Sequence, residues 1–163
     1  MFDKSAFTAD EWRLILSSPM LAGMAVTLAD PSGIFGTIKE GIPGAKALIS
    51  AKTDQGANPI AKAIAVDFDT PEGRTTARES IKAELTARTP SELKTQVLEV
   101  LRKVNALITA KAPEDAPGFR AWLKNISAEV AEAATEGGFL GFGGVKVSEA
   151  EKATLAEVDA ALA

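Results

Sequence analysis

Apolar residues recur along much of the chain at the spacing of one face of an α-helix. Two segments, residues 93–108 and 119–130, follow the i, i+3, i+4, i+7 rule. The apolar positions are Leu93, Val97, Val100, Leu101, Val104, Leu107 and Ile108, then Phe119, Trp122, Leu123, Ile126 and Val130, and near the end Leu155, Val158 and Leu162. We predict helices that bury these stripes, with Trp122 inside the core.

Capping boxes mark the starts of three predicted helices. In each box a Ser or Thr side chain accepts from the backbone amide three residues later, and the Glu at that position reaches back. The boxes are Thr8 to Glu11, Thr89 to Glu92 and Ser148 to Glu151.

The first apolar stretch predicts a buried helix rather than a membrane span. Leu14–Ala29 carries no charge, but it is only about 16 residues long, whereas a spanning helix needs about 20. Because proline disrupts a helix interior, Ser18-Pro19 predicts a break between a first helix at 9–17 and a second that ends at Ala29.

Further helices are predicted at 33–52, 59–66 and 71–87. The first of these places an apolar set inward: Ile34, Phe35, Ile38, Ile42, Ala45, Leu48 and Ile49. Alanine is abundant and no alternating strand pattern occurs, which favours closely packed helices. We predict a single compact all-α domain over residues 1–163, a bundle of six to eight helices, with Leu14–Ala29, Leu93–Ala112 and Phe119–Ala134 at its centre.

Composition narrows the chemistry. The 163 residues include no cysteine, histidine or tyrosine, which excludes disulfides, thiolate or imidazole ligands and histidine-based catalysis. The net charge of -4 disfavours nucleic acid as a partner. The N-terminus has no signal-peptide pattern, so we expect a cytoplasmic protein with no transmembrane segment. We expect no catalytic residue, no metal and no cofactor, and a role other than that of an enzyme.

One glycine-rich apolar segment is the candidate binding site. It lies between two predicted helices and comprises Gly137, Gly138, Phe139, Leu140, Gly141, Phe142, Gly143 and Gly144. Either it folds over a helix seam and buries its apolar side chains, or it stays accessible and docks into a partner, because exposed apolar patches are commonly functional. The second interpretation predicts a non-catalytic interaction or scaffold protein that binds a protein partner or itself. Peripheral membrane contact through the same segment is the alternative.

Two acidic groups are candidates for chemical sites. Asp67, Asp69 and Glu72 carry oxygen ligands suited to calcium or magnesium, but acids at a helix start also offset the helix dipole, which is the favoured interpretation. A carboxylate-metal protein or enzyme is therefore the least favoured alternative. Glu129, Glu132 and Glu136 share one helix side and are interpreted as a solvated face.

Two resemblances add to this description. The stretches FTADEW, SPMLAGMAV and GGFLGFGGVKVSEAEKATLAEV resemble a family of small, uncharacterised, all-helical bacterial proteins. The chain is also similar in size and helix content to the tellurite-resistance B family, whose acidic metal-site motif it lacks. Both resemblances imply a helical fold, and neither implies a reaction or a catalytic residue.

Overall fold

The structure is a computed structural model, and it describes residues 2–29, 44–136 and 149–163. These ranges contain a short 3-10 helix, Lys4–Ala6, and seven α-helices. The helices are α1 (Ala9–Thr27), α2 (Ala45–Thr53), α3 (Pro59–Phe68), α4 (Pro71–Glu84), α5 (Pro90–Lys111), α6 (Ala116–Glu136) and α7 (Glu149–Ala161). No strand occurs in the described ranges, so the prediction of an all-α bundle of six to eight helices is confirmed.

Helix α1 lies at the centre of the bundle. It packs against α4, α5 and α6 and also contacts α3 and α7. Its residues Ile15, Leu21, Ala22 and Ala25 are fully buried, because other helices cover it on several sides. The Ser127 hydroxyl of α6 donates a buried 2.8 Å hydrogen bond to the Ala22 carbonyl. The predicted central position of the first, fifth and sixth helical segments is thus confirmed.

The apolar stripes predicted for the later helices face this core. The residues that are buried are Val97, Val100, Leu101, Val104 and Ile108 on α5, Phe119, Leu123 and Ile126 on α6, and Val158 and Leu162 beside α7. Burial of a side chain of this size stabilises the fold by about 1.5–3 kcal/mol. Packing of amphipathic faces therefore accounts for most of the helical order.

Helix α1 runs through Pro19 without a break, so the predicted division into two helices is wrong. A proline at position 19 has no N–H to donate to the carbonyl of Ile15, four residues earlier. The Ser18 hydroxyl donates to that carbonyl instead, at 2.6 Å. Both Ser18 and Pro19 are buried, so this side chain replaces the hydrogen bond that the backbone lacks.

The capping box at Thr8 is confirmed, and at Thr89 the hydroxyl half of the predicted box is present. At the start of α1, the Glu11 amide donates to the Thr8 hydroxyl at 3.2 Å, and the Thr8 amide donates to the Glu11 carboxylate at 2.8 Å. At α5, the Glu92 amide donates to the Thr89 hydroxyl at 3.3 Å. The third box begins at Ser148, which lies outside the described residues.

Two residues predicted to face inward, Ile49 on α2 and Trp122 on α6, are less buried than expected. Of the predicted helix at 33–52, only 44–52 is described, where α2 begins at Ala45, and residues 33–43 lie outside the described ranges. Leu48 is buried, but Ile49 is 66% exposed, because α2 packs on α3 through one narrow face. Trp122 lies at the edge of the core and is only partly buried.

Candidate functional site

The predicted binding segment Gly137–Gly144 lies outside the residues that the structure describes. Its position in the chain is after α6 and before α7, two helices that pack against each other. Its role therefore remains a prediction from its sequence.

A groove separates α2 and the α2–α3 turn from α6, and it is the candidate site among the described residues. We call it the α2–α6 groove; its volume is about 490 Å³, and it is open to solvent. Its walls combine small, polar and acidic residues with one aromatic ring. They are Ala47, Ser50, Ala51, Asp54, Gly56, Ala57, Asn58, Gly118, Trp122, Asn125 and Glu129.

The contacts across the groove occur in opposite chain order on its two walls. At one end Gly44 lies against Ile126, since a Cβ on this glycine would be 3.2 Å from Cγ2 of that isoleucine. Its φ of 87° is a further reason for glycine at the start of α2. At the other end Gly118 lies beside Asn58, whose side-chain nitrogen would be 2.9 Å from an added Cβ. Small residues therefore keep the two walls close.

Trp122 forms the middle of the groove. Its indole nitrogen points to the Ala47 carbonyl at 3.4 Å, and its ring lies 6.1 Å from the buried ring of Phe119, centroid to centroid. The prediction that Trp122 is a core residue is wrong in this respect, because one side of the side chain lines the groove.

Two carboxylates stand at the groove without a cationic partner among the described residues. Asp54 accepts a 2.8 Å hydrogen bond from the Gly56 amide, and Glu129 accepts one of 3.1 Å from the Asn125 side chain. The ion pairs of the described residues include neither carboxylate. Glu129 therefore lines a wall of this open groove.

The acids at the end of α3 have structural partners. Asp67 accepts from the Lys4 ammonium at 2.6 Å and from the Trp12 indole at 2.7 Å, while Asp69 pairs with Lys52. Within the described ranges, no three acidic side chains lie together in an arrangement that could hold a metal ion. The side chain that caps α4 is Thr70, and Glu72 lies in the first turn of α4, where a carboxylate offsets the helix dipole.

The other tryptophan sits in an aromatic cluster beside the start of α1. Phe2, Phe7 and Trp12 pack with ring centroids 6.0–6.2 Å apart. The Lys4 ammonium lies 4.9 Å from the centre of the Trp12 ring, a cation–π contact. Lys111 lies over Phe7 in the same way, at 5.6 Å.

Sequence reasoning did not identify the α2–α6 groove. Its walls come from parts of the chain about 70 residues apart, and Asn125 and Glu129 look like ordinary surface positions of α6. The available signal was the mixed face made by Trp122, Asn125 and Glu129 at helical spacing.

Comparisons of the chain with models of protein families, with curated proteins and with solved structures found no match. Among the described helices, none is both long enough and apolar enough to cross a membrane. The candidate site consequently rests on the groove geometry and on the Gly137–Gly144 sequence.

Proposed function

We propose that this protein is a non-catalytic interaction or scaffold protein that binds a protein partner, or a second copy of itself, through Gly137–Gly144. The observation that carries the proposal is the composition of this segment. Five of its eight residues are glycines, and the other three are Phe139, Leu140 and Phe142. Glycines let a backbone approach a partner closely, and accessible apolar side chains gain free energy when a partner covers them. We expect the protein to act in the cytoplasm.

The chemistry of the chain supports binding over catalysis. Without cysteine, histidine and tyrosine, carboxylates and lysines are the main groups left for acid–base work. Several of these are already engaged with each other: Glu11 with Lys111, Asp69 with Lys52 and Glu84 with Lys103. Such pairs hold helices together, and they leave these carboxylates less free to accept a proton from a substrate.

Substitution of one apolar residue in the segment tests the proposal. Phe142→Asp places a charge in the proposed binding surface and should abolish self-association in sedimentation velocity, or abolish capture of a partner that mass spectrometry identifies. The matched control is Ile49→Asp, which changes an apolar residue that is 66% exposed on α2. The proposal predicts loss of binding only for Phe142→Asp; equal binding by the wild type and both variants contradicts it.

Liposome co-sedimentation separates a protein partner from a lipid surface. Lys146 is the basic residue beside the segment, whereas binding to anionic lipid through a short apolar segment usually needs a basic cluster. We expect the wild type to stay in the supernatant with vesicles containing phosphatidylserine. A pelleted wild type together with a soluble Phe142→Asp variant would replace the protein-partner proposal with membrane association.

A further inference from the structure

The two tryptophans of the chain are both accompanied by carboxylates. At Trp12 the arrangement already holds a cation, because the Lys4 ammonium lies 4.9 Å from the ring centre and 2.6 Å from the Asp67 carboxylate. A ring face and a carboxylate together stabilise an ammonium group, the first through its quadrupole and the second through its charge. In this chain, an indole ring and a carboxylate thus bind one ammonium group together.

The α2–α6 groove has the same groups but no cation among the described residues. Trp122 lines its middle, and Asp54 and Glu129 line its walls. No described lysine or arginine forms a cation–π contact with Trp122 or an ion pair with either carboxylate. The groove therefore presents negative charge and an aromatic surface that a ligand cation would complement.

The two carboxylates stand at opposite ends of the groove. Asp54, after the last turn of α2, accepts from Gly56 in the turn that leads to Asn58 and its contact with Gly118. Glu129 lies one turn beyond Ile126, which Gly44 contacts at the other end. A helix rises 1.5 Å per residue, so the 11 positions from Gly118 to Glu129 span about 16 Å. A compact metal ion cannot bridge that separation, whereas an extended molecule can.

We propose that the α2–α6 groove binds a linear alkyl polyamine, whose terminal ammonium groups pair with Asp54 at one end of the groove and with Glu129 at the other. Its methylene chain lies across Trp122 and the methyl groups of Ala47 and Ala51, which line the groove between these ends. The amide of Asn125 and the hydroxyl of Ser50 accept from the inner ammonium groups. No residue of this site belongs to Gly137–Gly144, so the two proposals are tested with different variants.

Proton–nitrogen NMR of the full chain provides a direct test, because two tryptophans give two indole cross-peaks. The Trp122→Phe variant assigns the peaks by removing one of them. Spermine should shift the Trp122 peak in a saturable manner and leave the Trp12 peak in place. Putrescine, which is too short to reach both carboxylates, should bind about fivefold to tenfold more weakly.

Charge removal at the two ends provides the matched variants. Asp54→Asn retains an oxygen for the Gly56 amide, and Glu129→Gln retains one for Asn125, so both variants should keep the fold and its melting temperature. The double variant should raise the Kd for spermine about fivefold to tenfold, because two exposed ion pairs are lost. The control Glu79→Gln, on α4, removes one exposed acid outside the groove and should leave the Kd unchanged.

Three results would overturn the proposal. The first is the absence of a saturable Trp122 shift with spermine at low salt. The second is an equal loss of affinity in Glu79→Gln and in the groove variants, which would indicate binding to net charge alone. The third is tighter binding of a tetralysine peptide than of spermine, which would assign the groove to a basic protein segment.

Discussion

The indole nitrogen of Trp12 donates a 2.7 Å hydrogen bond to the carboxylate of Asp67, a residue 55 positions later in the chain. The same carboxylate oxygen accepts from the Lys4 ammonium at 2.6 Å. One carboxylate oxygen of Asp67, in the last turn of α3, therefore binds both the first turn of α1 and the residues before α1. This shared acceptor couples the end of α3 to two adjoining segments near the start of the chain.

Asp67→Ala should lower the free energy of unfolding by about 1–3 kcal/mol, because the partly buried indole N–H loses its acceptor. Urea denaturation followed by far-UV circular dichroism measures this change. The control is Asp69→Ala: the Asp69 side chain is 54% exposed in its pair with Lys52, so its loss should change stability by at most about 1 kcal/mol. Equal losses in the two variants would show that the indole bond contributes nothing.

Gly73 lies where the start of α4 approaches the end of α3. A Cβ at this position would lie 2.0 Å from the backbone oxygen of Asp67, so the two helices must move apart to accept one. Gly73→Ala should therefore destabilise the fold by about 1–3 kcal/mol, despite the better helix propensity of alanine.

The control for Gly73→Ala is Gly56→Ala in the α2–α3 turn. The nearest atom to a Cβ at Gly56 is a side-chain oxygen of Asp54 at 3.5 Å, so the substitution should change stability by less than about 0.5 kcal/mol. Melting temperatures by differential scanning calorimetry compare the two. A Gly73→Ala variant as stable as the wild type would mean that α3 and α4 separate at no cost.

Ser18 and Pro19 should be coupled energetically. Ser18→Ala leaves the buried carbonyl of Ile15 without its hydroxyl donor, which costs about 1–3 kcal/mol. Pro19→Ala returns a backbone N–H that can donate to that carbonyl, so Ser18→Ala should cost less in the Pro19→Ala background. A double-mutant cycle from urea unfolding measures the difference. Additive effects would contradict the replacement of the backbone bond by the serine.

Stability should fall with acidification as Glu11 becomes protonated. The hydrogen bond from Lys111, aided by the Thr8 amide, lowers the pKa of Glu11 below its usual value of 4.5. A carboxylate with a lowered pKa binds fewer protons in the folded state than in the unfolded state. Its contribution is therefore complete above 4.5 and is lost as the pH falls through the lowered pKa.

Urea midpoints measured from neutral to acidic pH check the role of Glu11. Glu11→Gln should be less stable than the wild type at neutral pH and should show a shallower loss on acidification. Lys111→Met, which removes the main cause of the lowered pKa, should make the acid dependence shallower as well. Parallel pH curves for all three proteins would rule out this carboxylate as a source of acid sensitivity.

The fold was predictable wherever local signals agreed with long-range packing. The Thr8 and Thr89 caps and the stripe around Leu101 and Ile108 depend on residues within a few turns, so the sequence displays them directly. Pro19 was mispredicted because the general rule for proline overlooks the hydroxyl of the preceding residue.

The candidate groove was not predictable for a different reason. The periodicity that places Trp122 on the inner face of α6 does not specify what covers it, and its cover is α2, whose Ala47 lies 75 residues earlier. Asp54 and Glu129 likewise acquire a common role only after the two helices meet. Helical periodicity predicts which side of a helix is buried, but it does not predict which other helix packs against that side and completes a site.

The central place of α1 affects how the chain reaches its folded state during synthesis. Helix α1 leaves the ribosome before α4, α5 and α6, the helices that cover it. The apolar faces of α1 are therefore not fully covered until α6 has been translated, more than a hundred residues after the end of α1. The nascent chain is thus exposed to aggregation until late in translation, and general holding chaperones should bind it during that interval.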